Sequence, residues 1–200
     1  MGQPGATRTD SESGSKAALL RPVVLIGLMG AGKTSVGLRL ANALGVEAID
    51  SDTEIERAAA MTIPEIFERF GEPHFRSGER RVLARLMGEH PRIISAGGGA
   101  FMDPETRALI KRDGISVWLK AELDVLVQRT AGRSHRPLLN SGDPRQILSN
   151  LIDVRYPVYA EADLAVPSLA GQTHDDMAAR IIQALKTDGR AFPKPSGGAP

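Results

Sequence analysis

Short apolar runs alternate along this chain with stretches whose apolar residues recur every three or four positions. Pro22-Val23-Val24-Leu25-Ile26 is continuous, ends at a glycine, and suits a parallel strand buried on both faces. From Thr34 to Leu44 the residues Val36, Leu40 and Leu44 share one helical face, and Gly45 is the stop signal. Val46 to Ile49 predicts a second strand, which runs into Asp50-Ser51-Asp52. A helical stretch of mixed polarity follows, then a helix around Gly78 to Met87 with Val82, Leu83, Leu86 and Met87 on one face. Arg92 to Ala96 and Ile115 to Leu119 predict two more strands, the latter placing Trp118 in the core. A helix is expected across Leu123 to Arg129 and a last short strand at Leu164 to Val166. Met177, Ile181, Ile182 and Leu185 give a final helix one apolar face. Strands alternating with helices predict a parallel sheet covered on both sides, and the fold class is α/β.

Length and composition narrow this picture. Two hundred residues suit one domain, expected over residues 19–188, flanked by Gly-, Ser- and Pro-rich tails at 1–18 and 189–200 that have little to bury. A net charge of +1 argues against a general field for nucleic acid or membranes. The absence of cysteine excludes disulfides, thiolate-bound zinc and thiol nucleophiles. The polar N-terminal stretch lacks the apolar segment of a secretory signal, and no apolar run approaches the roughly 18 residues of a membrane span. A soluble, cytoplasmic protein is expected. His74, His90, His135 and His174 have no metal-site spacing and read as surface or local hydrogen-bonding residues.

The strongest chemical signal is Gly27-Leu28-Met29-Gly30-Ala31-Gly32-Lys33-Thr34, a full match to G-x-x-x-x-G-K-[ST] between a strand and a helix. Glycines let successive N–H groups turn toward phosphate oxygens, and the helix adds its positive end. Lys33 is expected at the β- and γ-phosphates of a nucleoside triphosphate, with the Thr34 hydroxyl on Mg²⁺.

The acids and glycines that follow are less usual. The third strand ends in Ser95-Ala96-Gly97-Gly98-Gly99 and offers no carboxylate to a metal. Asp50 and Asp52 stand instead after the second strand, where alternate residues point to one side. One of them suits the metal through water, the other an acceptor hydroxyl; equally, Asp50-Ser51-Asp52 reads as a turn and cap before a helix. The three glycines bury nothing, so close approach of a ligand to the backbone explains them better than packing.

Together these residues resemble the shikimate kinase family. The resemblance rests on the phosphate loop, on Asp50-Ser51-Asp52 as its D-x-D, and on Ile63 to Glu79, which is similar to a segment ending G-E-x-x-F-R-x-x-E. It also rests on Gly97-Gly98-Gly99, on Arg136-Pro137-Leu138-Leu139 as the lid motif, and on Arg155-Tyr156-Pro157-Val158-Tyr159 as R-x-P-x-Y. These run in the family's order from about Val23 to Leu185. The resemblance implies a three-layer, nucleoside-monophosphate-kinase-like fold with a five-stranded parallel sheet in the order 2-3-1-4-5. It implies a mobile lid near 132–143 and a substrate-binding region near 52–80. The implied activity is transfer of the γ-phosphoryl of ATP to the 3-hydroxyl of shikimate. Asp52, Lys33 and Arg136 would be catalytic, and Asp52, Arg76, Gly98 and Arg155 would bind shikimate. Met29, Gly30, Ala31, Gly32, Lys33, Thr34, Arg129 and Arg136 would bind ATP, with Gln172 on the adenine side by its spacing from Tyr159. Thr34 would touch Mg²⁺ directly and Asp50 through water. The expected partners are ATP and shikimate, with no nucleic acid or membrane, and the expected state is a monomer.

The chemistry agrees with these implications. A carboxylate bearing three hydroxyls needs planar cationic donors and a hydroxyl acceptor; Arg76 and Arg155 suit the first, and Glu79, three residues on, could hold Arg76 in place. A gluconate kinase would share the loop without needing this D-x-D, glycine triplet and arginine pair. A nucleoside monophosphate kinase would need a base-reading segment, which is not evident. A non-catalytic nucleotide switch would be expected to lack Lys33, Asp52 or Arg136.

Overall fold

The computed structural model describes residues 18–131 and 142–193. The apolar run after Pro22 forms strand β1, Val23–Ile26, and all four of its residues are buried. Successive strand residues face opposite ways, so full burial means that both faces of the sheet are covered there. Around β1 lie β2 (Ala48–Asp50), β3 (Ile93–Ser95), β4 (Ile115–Ala121) and β5 (Leu164–Ser168). Every pairing is parallel and the order is β2-β3-β1-β4-β5, as expected. Register sets the site: Asp50 pairs with Ser95 and Ser95 with Leu25, so β2, β3 and β1 end at one level. Ligands collect outside the carboxyl ends of such strands, where the chain order reverses about β1.

Helix α1, Lys33–Leu44, buries Val36, Leu40 and Leu44 as their spacing predicts. It lies against α7, His174–Asp188, whose Met177, Ile181 and Leu185 are buried. The mixed-polarity stretch resolves into α2, Ser51–Ala59, and α3, Ile63–Glu89, the latter starting well before the expected Gly78. Thr62 caps α3 in a capping box with Glu65. Gly71, at φ 76°, breaks α3 into two pieces just ahead of Pro73. Helix α5, Leu123–Thr130, falls where expected.

Two helices were not anticipated. They are α4, Pro104–Asp113, and α6, Pro144–Tyr159, each opening with an Asp cap and a proline in its first turn. α4 buries only Thr106 and Ile110, and α6 only Leu148 and Tyr159, so neither writes an apolar stripe into the sequence. Burial continues past the boundary expected at 188. Ala191 and Phe192 are buried, and the Leu20 N–H donates to the Ala191 carbonyl at 2.8 Å, joining the residue stretch before β1 to the one after α7. Trp118 is in the core as expected. Among the described residues no helix is long and apolar enough to cross a membrane.

Candidate active site

A cleft of about 650 Å³ opens at the carboxyl ends of β1, β2 and β3. One end is built by the phosphate loop. Gly32 caps α1 with φ 95°, a left-handed conformation that glycine adopts without penalty. The Lys33 ammonium folds back over this turn, donating to the Gly27 and Leu28 carbonyls at 2.9 and 3.3 Å. Ala31 faces the core, whereas Met29, Gly30, Gly32, Lys33 and Thr34 line the cleft.

Asp50 joins the loop to the acids. One of its carboxylate oxygens accepts from the Thr34 hydroxyl at 2.9 Å, and the other caps α2 by accepting from the Asp52 N–H at 3.0 Å. The helix-cap reading of Asp50-Ser51-Asp52 is borne out, and both Asp50 and Asp52 line the cleft. A hydroxyl and a carboxylate side by side at the mouth of a phosphate loop are hard oxygen donors of the kind Mg²⁺ takes alongside substrate phosphates. Ser51 is buried and accepts from the Gly97 N–H at 3.1 Å, tying the first turn of α2 to the glycine triplet.

The triplet explains itself at this point. A Cβ on Gly97 would lie 2.5 Å from Asp52 Oδ1, one on Gly98 would lie 3.2 Å from Arg155 Nη1, and one on Gly99 would lie 2.5 Å from Arg76 Nη2. Three charged side chains from α2, α3 and α6 thus press against one short backbone stretch, where side chains would exclude them. The close approach expected of a ligand is made in this structure by the protein's own Asp52, Arg76 and Arg155.

Electrostatics at this end are tightly coupled. Arg76 donates to Glu79 at 2.7 Å and to Glu72 at 3.1 and 3.2 Å. Glu79 is 1% exposed, and burial pushes its carboxyl up while Arg76 pulls it back. Asp52 is likewise raised, by burial first and then by the neighbouring Asp50 charge, against the opposing pull of Lys33. Arg155 donates to the Gly98 carbonyl at 2.8 Å, and so does the hydroxyl of Tyr159. Ile63, Phe67 and Phe75 give the cleft an apolar wall, with Phe67 and Phe75 rings 4.6 Å apart.

Beyond the loop, Arg129 donates to Ser168 Oγ at 2.7 Å and to the Leu169 carbonyl at 2.9 Å, holding α5 to the end of β5. It lines the cleft, but Gln172 does not: its side chain accepts from the Leu169 N–H at 3.1 Å within its own turn. His174, read as a surface residue, stands exposed on the cleft wall beside Gly32. Its position one residue past the Thr173 cap of α7 was the available signal. His135, Arg136 and the expected lid lie outside the described residues, apart from the lid's last two positions at 142 and 143.

Comparison with known proteins points to one family. The family model described as shikimate kinase matches residues 29–186. A shikimate kinase of Paramagnetospirillum magneticum is 52% identical over 167 residues, covering 84% of this chain and 85% of its own. One from Rhodopseudomonas palustris is 55% identical over 164 residues, covering 82% and 81%. Among solved structures, shikimate kinase from Acinetobacter baumannii in complex with shikimate superposes with a TM-score of 0.77 at 40% identity, over 84% of this chain and 94% of that one.

Proposed function

The chain belongs to the shikimate kinase family and is an ATP-dependent kinase; we propose that it transfers the γ-phosphoryl group of ATP to the 3-hydroxyl of shikimate, giving shikimate 3-phosphate and ADP. The observation that carries this reading is the glycine triplet with Asp52, Arg76 and Arg155 packed on its backbone, across one cleft from the phosphate loop.

In this mechanism the phosphate loop and the start of α1 bind the triphosphate, and Lys33 neutralises charge on the transferring group. Arg76 and Arg155 clamp the acceptor's carboxylate with planar, permanently charged donors. Glu79 fixes the Arg76 guanidinium at 2.7 Å, so the Arg76 half of the clamp is set before the acceptor arrives. With the carboxylate held, Asp52 would accept a hydrogen bond from the acceptor hydroxyl and orient its oxygen toward the γ-phosphorus. Bonding between that oxygen and phosphorus develops as the bond to the ADP oxygen breaks, and Asp52 takes up the hydroxyl proton late in the step. Thr34 and Asp50 fit Mg²⁺, which when bound neutralises phosphate charge. Arg129 closes the nucleotide end of the cleft. The domain spans 19–193, with 52–80 serving the acceptor, and it acts as a cytoplasmic monomer.

The test is ADP release with shikimate, gluconate and AMP offered in parallel. Release with shikimate alone is expected; equal or greater release with gluconate or AMP would overturn the choice of acceptor.

A further inference from the structure

One carbonyl in the acceptor end of the cleft has two donors. Arg155 Nη1 donates to the Gly98 oxygen at 2.8 Å, and the Tyr159 hydroxyl donates to the same atom. The two side chains stand four residues apart on α6 and so share a face. Their freedom differs sharply. Tyr159 is 0% exposed, with its ring edge-on to Trp118 and Phe101 at centroid distances of 6.0 and 6.4 Å. Arg155 is partly exposed and lines the cleft.

The geometry points to Tyr159 as a positioning residue for the acceptor: by holding the Gly98 carbonyl on its own, it frees Arg155 to turn toward the acceptor's carboxylate. The inference rests on the reading of Arg155 as a carboxylate ligand. A carbonyl oxygen has two lone pairs, and here both are used. When Arg155 leaves for a ligand, the carbonyl keeps one partner and the exchange of hydrogen bonds is nearly even. Without the tyrosine hydroxyl, the same departure strands a part-buried acceptor, or keeps one guanidinium N–H back from the ligand. Burial also holds the Tyr159 phenol above its ordinary range, so the hydroxyl stays a donor through neutral pH.

The consequence is a coupling that a purely structural tyrosine would not show. Tyr159→Phe keeps the ring and removes only the donor. In the wild-type background it should weaken shikimate binding roughly tenfold, about 1.4 kcal/mol, with ATP affinity unchanged by calorimetry. In an Arg155→Ala background the carbonyl is equally stranded with and without ligand, so the same change should alter shikimate affinity less than about twofold. An equal loss in both backgrounds, a matching loss of ATP affinity, or no loss at all would overturn the role given to Tyr159. Full shikimate affinity in Arg155→Ala alone would remove the carboxylate reading and this proposal with it. If the Phe variant melts below the assay temperature, 3-fluorotyrosine at position 159 supplies a stronger donor of similar shape. It should tighten shikimate binding selectively, and unchanged or weaker binding would count against the idea.

Discussion

Adding one methyl group at Gly97 is a sharp test of the acceptor site. The new Cβ would stand 2.5 Å from Asp52 Oδ1 and 3.2 Å from Glu79 Oε1. Ordinary contact begins near 3.4 Å, so one partner must give by close to 1 Å. The backbone resists, because the Gly97 N–H is bonded to buried Ser51 and the Ala96 N–H to the Leu25 carbonyl. Glu79 resists because Arg76 holds it. Asp52 is therefore the group that moves, away from the acceptor hydroxyl. A misplacement of about 1 Å in a reacting constellation typically lowers rate on the order of 100-fold. The assay is ADP release with shikimate and ATP varied separately, beside calorimetry for ATP. Gly97→Ala should lose about 100-fold in kcat/KM for shikimate and keep ATP affinity within about twofold. Gly78→Ala is the control: nothing lies within 4 Å of its added Cβ, and it sits in α3. That variant should keep full activity and gain up to about 1 kcal/mol of stability. Wild-type turnover in Gly97→Ala, or an equal loss of ATP affinity, would refute the assignment of this end of the cleft to the acceptor.

Three further outcomes follow from the same geometry. Lys33→Ala should leave the melting temperature nearly unchanged and reduce turnover by orders of magnitude, since its charge acts on the transferring phosphoryl; a folded variant with normal turnover would count against the mechanism. Arg76→Ala should weaken shikimate binding by roughly 10- to 150-fold at constant ATP affinity, and lysine should restore only part, because a point charge lacks the planar fork. Asp52 has a folded-state pKa above its unfolded value. Its contribution is absent below the unfolded pKa and becomes a penalty as pH rises through the folded one. Asp52→Asn should accordingly raise the melting temperature at neutral pH while abolishing turnover, and this gain should fade as pH falls toward 3.8; a gain independent of pH would refute the ionisation argument.

What the residue pattern reveals here, and what it hides, follows from how far apart the interacting groups lie. The central strands are legible because burial on both faces leaves continuous apolar runs, as at Val23–Ile26. The phosphate loop is legible because its chemistry is made by eight neighbouring residues. Helices α4 and α6 are hidden because each buries two residues, and only their Asp-Pro starts mark them. The resemblance named Arg76, Gly98 and Arg155 as one set, but spacing alone does not. Arg155 and Tyr159 reach Gly98 across 57 and 61 residues, and no local period records such a meeting. The same distance limits the reading of Gln172, since counting from Tyr159 fixes how far along the chain a residue stands and not which way its side chain turns. What joins the two kinds of information is the triplet. Its lack of side chains is visible in the sequence, and the reason for that lack is visible only when Asp52, Arg76 and Arg155 arrive from three helices. Each of those charges is partly desolvated, and burial raises Asp52 and Glu79 while Arg76 draws Glu79 back. On the proposed reading, the acceptor's carboxylate meets an Arg76 already held by Glu79, and an Arg155 whose carbonyl partner keeps the Tyr159 hydroxyl as a second donor.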